Sequence, residues 1–265
     1  MTTPQLAVQM FTVRDFTHTA EQLSATLRKI SDIGYRAIQM SAVQAMAGDH
    51  PKVDAVLARK MLDDNGLRCI ATHRGWDSLS QHTAAEIDFH HTLGCDFTAI
   101  GSLPQEYHAR GQAGYAQFLR DSSGVIATLN TEGVRFGYHN HAMEFASIDD
   151  RRSPHKTLFD TFIDEAGSNF CLELDLYWIC HAGANPERIV ERCHGRIPVI
   201  HLKDREVIEN EPVMAPVGSG NLDWDHLLPA CKTAQVEWYA VEQDVCRQDP
   251  FECLKASFEF LKDRL

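Results

Sequence analysis

The stretch FGYHNHAMEF, residues 136–145, concentrates groups that could bind a cation or transfer a proton. It holds two imidazoles, one amide and one carboxylate, at His139, His141, Asn140 and Glu144. One interpretation is a metal site, because imidazole and carboxylate are common ligands of divalent cations. The plain alternative is a polar loop whose side chains bond only to backbone and water. The rest of the sequence has to decide between these two interpretations.

Further charged groups end three later β-type runs, FCLELDLYWI, IPVIHLKD and VEWYAVEQDV. In the first run, the two-residue period of a strand puts Glu173 and Asp175 on one face and leucines on the other. The leucine face suits packing against helices, so the acidic face is expected to point inward, where an isolated carboxylate is costly to ionise. A divalent cation would offset that cost. The same period places further polar residues on one face in the other two runs: His201, Lys203, Glu242 and Asp244.

Short β-type runs alternate with helical patterns along the whole chain. Eight such strand–helix units in 265 residues match the (β/α)8 barrel, whose usual length is about 250 residues. The runner-up is an open doubly wound sheet, but no GxGxxG follows the first strand. No linker divides the chain, so we expect a single α/β TIM-barrel domain over residues 1–265. The predicted strands cover residues 5–14, 36–43, 68–76, 96–104, 134–143, 170–179, 197–204 and 236–245.

In such a barrel, the carboxyl ends of the strands form the rim that carries catalysis. The polar groups described above fall at that end, whereas the amino ends carry ordinary solubilising residues such as Arg68 and Asp96. Without a cation, several inward polar side chains on adjacent strands would each need a separate partner. A shared cation is the simpler explanation. Oxygen and nitrogen ligands of this kind suit Mn²⁺, Mg²⁺, Co²⁺ or Zn²⁺.

The composition argues against several other classes of protein. A formal net charge of −12 disfavours an electrostatic nucleic-acid surface. No apolar run approaches the ~20 residues needed to cross a bilayer. MTTPQLAVQM lacks the basic region and long apolar stretch of a signal peptide. The 8 cysteines include no CxxC pair and are expected to be buried free thiols. We therefore expect a cytoplasmic protein that binds neither nucleic acid nor membrane.

Five motifs in register extend this interpretation. In order, GYHNHAMEF, LELDLYW, VIHLKD, GSGNLDW and VEQD resemble the sugar phosphate isomerase/epimerase superfamily, the xylose isomerase-like TIM barrels, over nearly the whole chain. The resemblance implies one divalent metal, with Mn²⁺ expected, held by a Glu, an Asp, a His and a second Glu from strands five to eight. Asp175, His201 and Glu242 match three of these places. Many ketose epimerases have the first Glu within strand five, where this chain has His139, so we expect Glu144 to be the fourth ligand, with His139 as the alternative.

The resemblance also implies a reaction. It is isomerisation or epimerisation of a keto sugar or related polyol, by proton abstraction next to a carbonyl through a metal-stabilised enediolate. Glu242 or Glu144 would act as the base, and the other groups able to do so are His139, His141, His73 and Lys203. The residues expected to contact the small-molecule substrate are Arg14, His73, Trp76, Trp178 and Lys203.

Two other functions are compatible with the same residues. A dehydratase or lyase of the inosose or 3-keto-glycoside type would use the same carbanion to expel a leaving group. A sugar-binding barrel without catalysis is the other, and the complete set of Asp175, His201 and Glu242 argues against it. The backbone amides of GSG, residues 218–220, are a candidate phosphate site. The sequence is compatible with a homo-oligomeric assembly.

Overall fold

The computed structural model describes residues 5–148 and 156–265, so the first four residues of MTTPQLAVQM lie outside it. The strands in the described residues are β1 (Leu6–Gln9), β2 (Ala37–Met40), β3 (Arg68–His73), β4 (Phe97–Ile100), β5 (Arg135–His139), β6 (Phe170–Asp175), β7 (Val199–Leu202), β8 (Asp204–Ile208), β9 (Glu211–Ala215) and β10 (Trp238–Val241). Eight of them close into a parallel barrel in the order β1-β10-β7-β6-β5-β4-β3-β2. Ala7 on β1 is aligned with both Ala37 and Ala240, so the ring is complete. The predicted TIM barrel is confirmed, and the open doubly wound sheet is excluded.

Helices follow the barrel strands along the chain. Those in the described residues are α1 (Ala20–Ile33), α2 (Ala55–Asp64), α3 (Trp76–Gln81), α4 (Thr83–Leu93), α5 (Gln105–His108), α6 (Gly111–Thr131), α7 (Leu158–Glu165), α8 (Leu176–His181), α9 (Pro186–Arg192), α10 (Trp224–Thr233) and α11 (Pro250–Leu261). Local capping fixes their ends: Thr19 accepts the N–H of Gln22 at the start of α1, and Gly94 ends α4 in the left-handed conformation. Among the described residues, none of these helices has the length and apolar character needed to traverse a lipid bilayer.

The barrel interior is apolar at one level and polar at the next. Its apolar layer consists of Ala7, Ala37, Ile70, Ala71, Phe97, Ala99, Cys171, Val199 and Ala240. Two residues further along the same strands, the inward position becomes polar, as when Ala7 is followed by Gln9 and Val199 by His201. Gly137 on β5 leaves room for the ring of Phe97, since a Cβ there would lie 2.7 Å from that ring. The apolar core therefore ends where the polar rim begins.

All eight barrel strands are shorter than the sequence predicted, and in β3 and β6 the early end changes the setting of two tryptophans. β6 ends at Asp175, whose carboxylate accepts the N–H of Trp178 and caps α8, so Trp178 is helical. β3 ends at His73, and Trp76 begins α3 after Gly75. In β6 the strand stops because the Asp175 carboxylate satisfies an N–H that the first helical turn leaves free.

The β8–β9 hairpin, which stands between β7 and α10, was not predicted. Glu209 and Asn210 at its tip have φ of 50° and 70°, the left-handed conformation that a two-residue hairpin turn requires. At its base, the buried carboxylate of Asp204 accepts the N–H groups of Gly218 (2.9 Å) and Gly220 (3.0 Å). The GSG amides are therefore used within the protein, and the expectation that they form a phosphate site is wrong.

Candidate active site

Six ionisable side chains meet inside the barrel, at the carboxyl ends of β3, β5, β6, β7 and β10. They form two overlapping groups of four, and the candidate ligand atoms of each group lie within 4.8 Å of one another. The first group is His73, His139, Glu173 and His201, and the second is His139, Asp175, His201 and Glu242. All are buried except His73, which is partly exposed. The structure thus brings together Asp175, His201 and Glu242, three of the four metal ligands expected from the sequence.

The second group has the geometry of a cation site. His201 Nδ1 lies 3.0 Å from Glu242 Oε2 and 3.8 Å from Asp175 Oδ2. Two ligands that each lie about 2.0–2.2 Å from a cation can be at most about 4.4 Å apart, and both separations from His201 Nδ1 fall within that limit. All three are buried, and Lys203 Nζ lies 3.1 Å from Asp175 Oδ2 and 2.9 Å from Glu242 Oε2. Nδ1 of His139 is also buried and has no hydrogen-bond partner among the described residues. One ammonium is thus shared between two buried carboxylates that also face two buried imidazoles, and a divalent cation would satisfy the lone pairs that remain.

The remaining oxygen of each carboxylate in this group is already held by the protein. Gln9 Nε2 donates to Glu242 Oε1 at 2.8 Å, and the N–H of Trp178 donates to Asp175 Oδ1 at 3.0 Å. Each carboxylate is therefore fixed in orientation by one oxygen and presents the other to the cluster. Such outer hydrogen bonds are a usual support of metal ligands.

The first group is instead largely satisfied by hydrogen bonds. Glu173 accepts from Gln39 Nε2 at 2.8 Å through Oε1, and its Oε2 contacts His73 Nε2. His201 Nε2 lies 2.7 Å from Gln39 Oε1. Because both oxygens of Glu173 have partners in this network, the better candidate for a cation site is the group formed by His139, Asp175, His201 and Glu242.

Glu144 lies on the other side of β5 and does not join the cluster. Tyr138 donates its hydroxyl to Glu144 Oε1 at 2.6 Å, and the N–H of His141 donates to Glu144 Oε2 at 2.8 Å. Tyr138 points outward, where its ring contacts Phe162 of α7, so Glu144 is buried in the outer layer. The geometry does not support Glu144 as ligand or base, because both its oxygens are occupied there. His139, the alternative from strand five, occupies the inward position.

Glu144→Gln is expected to leave Mn²⁺ affinity unchanged and to lower the free energy of unfolding by about 1–3 kcal/mol. An amide has only one oxygen, so either the Tyr138 hydroxyl or the His141 N–H loses its acceptor. Titration calorimetry with Mn²⁺ and denaturant unfolding measure the two effects. The matched substitution Glu242→Gln should lose affinity instead. Loss of Mn²⁺ binding in a folded Glu144→Gln protein would return Glu144 to the ligand set.

Lys203 is a buried cation beside the cluster. Its Nζ lies 2.9 Å from Glu242 Oε2, 3.1 Å from Asp175 Oδ2 and 2.9 Å from Asp244 Oδ1. Burial opposes its charge, but the three carboxylates outweigh burial and raise the pKa of Lys203 above its ordinary value. The ammonium therefore keeps its proton, and the expectation that Lys203 is a base is not supported. Formally, one ammonium faces three carboxylates, so a divalent cation would improve the charge balance.

The histidines of the site differ in charge. Burial lowers the pKa of His139 well below its ordinary value and also lowers the pKa of His141, so both imidazoles are neutral near pH 7. Burial acts in the same direction on His201, but Glu173 and Glu242 overcome it and raise the pKa of His201 to about 9. The carboxylates around His201 therefore favour a positive charge at that position. His141, in contrast, is neutral and able to accept a proton.

A cavity of about 430 Å³ opens onto the cluster, and its lining includes Phe11, His73, His139, His141, Lys203 and Glu242. Of the residues predicted to contact substrate, His73 and Lys203 line it. Trp178 lies behind His141, with ring centroids 5.5 Å apart. Arg14 instead donates to the carbonyls of Phe11 and Asp244.

Trp76 does not reach the cavity lining. It packs edge-on against Phe118, at 4.8 Å between ring centroids, and against Phe136, at 6.1 Å. Its indole is therefore part of the packing between α3, α6 and β5, and the geometry does not support the prediction that it contacts substrate. The reason is the early end of β3, which places Trp76 on the first turn of a helix.

The two inward glutamines, Gln9 and Gln39, were not predicted as part of the site, and Glu173 had no assigned role. Gln9 and Gln39 are aligned partners on β1 and β2, and each is followed by a methionine. The repeated Gln-Met at the end of two consecutive strands was the available signal. An amide in a strand carries no charge that would mark it as part of a site. The carboxylates that Gln9 and Gln39 contact lie 233 and 134 residues away in the chain, so no neighbouring residue indicates these contacts.

Comparison with known proteins identifies relatives of this fold. Residues 27–264 match the family model described as the xylose isomerase-like TIM barrel. No curated protein gives a significant match. A solved sugar phosphate isomerase/epimerase from Parabacteroides distasonis has a TM-score of 0.81 at 18% identity, covering 100% of this chain and 95% of its own.

Two further solved structures have similar overlap. The probable 3-DHS dehydratase from Bacillus anthracis has a TM-score of 0.73 at 10% identity, covering 98% of this chain and 100% of its own. An L-ribulose 3-epimerase has a TM-score of 0.70 at 15% identity, covering 97% of this chain and 93% of its own. At such identities the likeness to solved structures shows the fold alone.

Proposed function

Because the chain belongs to the xylose isomerase-like TIM barrel family, we propose that it is a divalent-cation-dependent isomerase or epimerase of a keto sugar or a related polyol. The observation that carries this proposal is the buried set of His139, Asp175, His201 and Glu242, whose candidate ligand atoms lie within 4.8 Å of one another. Such a set at the carboxyl rim of a TIM barrel, open to a cavity, is the usual setting of catalysis in this fold.

The four residues would hold one cation. Two carboxylates with two imidazoles suit Mn²⁺ best in our proposal, and Mg²⁺, Co²⁺ or Zn²⁺ are compatible with the same donors. When bound, the cation would polarise the substrate carbonyl and stabilise the negative charge that develops on its oxygen. Gln9 fixes Glu242, and the start of α8 fixes Asp175, so the ligands are held in place before substrate enters.

His141 is our candidate for the base that removes the proton next to the carbonyl. It lines the cavity, it lies outside the set of four, and its Nδ1 has no hydrogen-bond partner among the described residues. Its neutral imidazole can take a proton and return it to either face of the carbon or to the neighbouring carbon. Lys203, which stays protonated, would donate to a substrate oxygen and stabilise its charge.

Elimination is the second candidate reaction, and one observation favours it. The probable dehydratase from Bacillus anthracis shares the fold over 98% of this chain, so the same barrel supports elimination in that protein. Removal of the same proton followed by loss of a β-leaving group would give an unsaturated product. Inososes and 3-keto glycosides carry such a leaving group.

The test is a panel of ketoses, inososes and 3-keto glycosides incubated with Mn²⁺-loaded protein in D₂O. Isomerisation or epimerisation is expected to give a new sugar that carries deuterium next to the carbonyl, whereas elimination gives an unsaturated product. Protein treated with a chelator is the control and should be inactive until Mn²⁺ is restored. Equal rates with and without Mn²⁺ would contradict the proposed role of the cation.

A further inference from the structure

Gln39 bridges two groups of the site from the opposite side of the barrel. Its side chain is 0% exposed. Its Nε2 donates to Glu173 Oε1 at 2.8 Å, and its Oε1 lies 2.7 Å from His201 Nε2. Among the described residues, the other acceptor close to Nε2 of His201 is Glu173 Oε2, at 3.4 Å.

The donors and acceptors along this chain of contacts determine where the hydrogen on His201 lies. Glu173 as a carboxylate only accepts, so Gln39 must turn its NH₂ toward Glu173 and its carbonyl oxygen toward His201. That oxygen also only accepts, so Nε2 of His201 must carry a hydrogen. An imidazole that binds a cation must be neutral and has a single N–H. Because that N–H is on Nε2, Nδ1 supplies the lone pair once the cation displaces the proton that the carboxylates favour there. Nδ1 is the atom that lies 3.0 Å from Glu242 Oε2 and 3.8 Å from Asp175 Oδ2.

We propose that Gln39 is a positioning residue that selects the Nε2–H form of His201 and so makes Nδ1 the nitrogen that binds the cation. The proposal rests on the cation site of the proposed function and specifies its ligand atom. Glutamine suits the position because one side chain supplies both an N–H for Glu173 and an oxygen for His201. A methionine of similar length would supply neither, and His201 Nε2 would lose its 2.7 Å acceptor and keep only Glu173 Oε2 at 3.4 Å.

Gln9 provides a matched control. It is the aligned partner of Gln39 on the neighbouring strand, it is 2% exposed, and it also donates to a carboxylate of the site, Glu242. Gln9→Met and Gln39→Met therefore remove similar buried amides. Only the second removes the acceptor of His201. A change seen in both variants reflects general loosening of the site, whereas a change seen only in Gln39→Met reflects the contact with His201.

The experiment uses ¹⁵N-histidine-labelled protein loaded with Zn²⁺, which is diamagnetic, together with calorimetric Zn²⁺ affinities. Two-bond ¹H–¹⁵N spectra distinguish protonated from unprotonated ring nitrogens, and the His201 signals are those lost in His201→Gln. The wild-type protein is expected to show a protonated Nε2 and a Zn²⁺-bound Nδ1. Gln39→Met should lose this pattern and about 10- to 100-fold in Zn²⁺ affinity. Gln9→Met should keep the His201 pattern, whatever affinity it loses.

Gln39→Glu is the rescue variant, and it covers the case in which Gln39→Met does not fold. A glutamate keeps an oxygen opposite His201 Nε2, and one proton shared with Glu173 replaces the lost N–H, so the His201 pattern should be retained. Zn²⁺ bound through Nε2, or a Gln39→Met spectrum identical to wild type, would overturn this inference alone. A wild-type protein that binds no Zn²⁺ or Mn²⁺ would overturn it together with the proposed function.

Discussion

Asp175→Asn is expected to remove cation binding and to lower turnover by about three orders of magnitude, the factor that corresponds to several kcal/mol of lost charge stabilisation. The asparagine can still accept the N–H of Trp178 through Oδ1, so the start of α8 should persist. Its NH₂ group, however, replaces Oδ2, the oxygen that lies 3.1 Å from Lys203 Nζ and 3.8 Å from His201 Nδ1. Calorimetry with Mn²⁺ and turnover of the substrate found in D₂O measure the two losses.

Asp223 is the control for this substitution. Its carboxylate also caps a helix, accepting the N–H of His226 at the start of α10 at 3.3 Å, but it is exposed and outside the cluster. Asp223→Asn therefore makes the same chemical change at a similar backbone position, and it should leave Mn²⁺ affinity and turnover unchanged. A folded Asp175→Asn protein with wild-type Mn²⁺ affinity would remove Asp175 from the ligand set and leave the proposed cation site without one of its two carboxylates.

The predictable part of this site follows from strand periodicity and the barrel rule. Asp175, His201 and Glu242 stand at or just beyond the ends of strands whose alternation fixes an inward face, so their convergence follows from sequence alone. Glu144 lies in a short 3₁₀ turn after β5, where no such period operates. Its direction is decided by the Tyr138 hydroxyl, a partner that only the folded outer layer reveals.

The parts that were missed depend on contacts across the closed barrel. Gln39 reaches Glu173 and His201 because β2 faces β6 and β7 across the interior, at chain separations of 134 and 162 residues. No local pattern encodes such a pairing. The hairpin after β7 was not predicted either. A pattern of alternating strands and helices does not predict an antiparallel pair of strands between β7 and the helix that follows it. The sequence thus predicted that Asp175, His201 and Glu242 converge, but not that Glu144 stays outside the cluster or which amides orient the site.

His141→Gln is expected to lower the rate of deuterium incorporation from D₂O by about 10²–10⁴-fold while leaving Mn²⁺ affinity unchanged. His141 lies outside the four proposed ligands, and its Nδ1 has no hydrogen-bond partner among the described residues. Burial lowers its pKa, so at pH 7 the imidazole is free to accept a proton. Its backbone N–H, which donates to Glu144 Oε2 at 2.8 Å, is untouched by the substitution.

The comparison with Asp175→Asn makes this prediction specific, because Asp175→Asn should lose both cation and rate, whereas His141→Gln should lose rate alone. His108→Gln is the matched control: His108 is also partly buried, but its ring bonds the Tyr115 hydroxyl at 3.1 Å, away from the cavity lining. It should exchange deuterium at the wild-type rate. If His141→Gln does so as well, the proton must pass to another group, and Glu242, which lines the same cavity and is a base expected from the sequence, is then the next candidate.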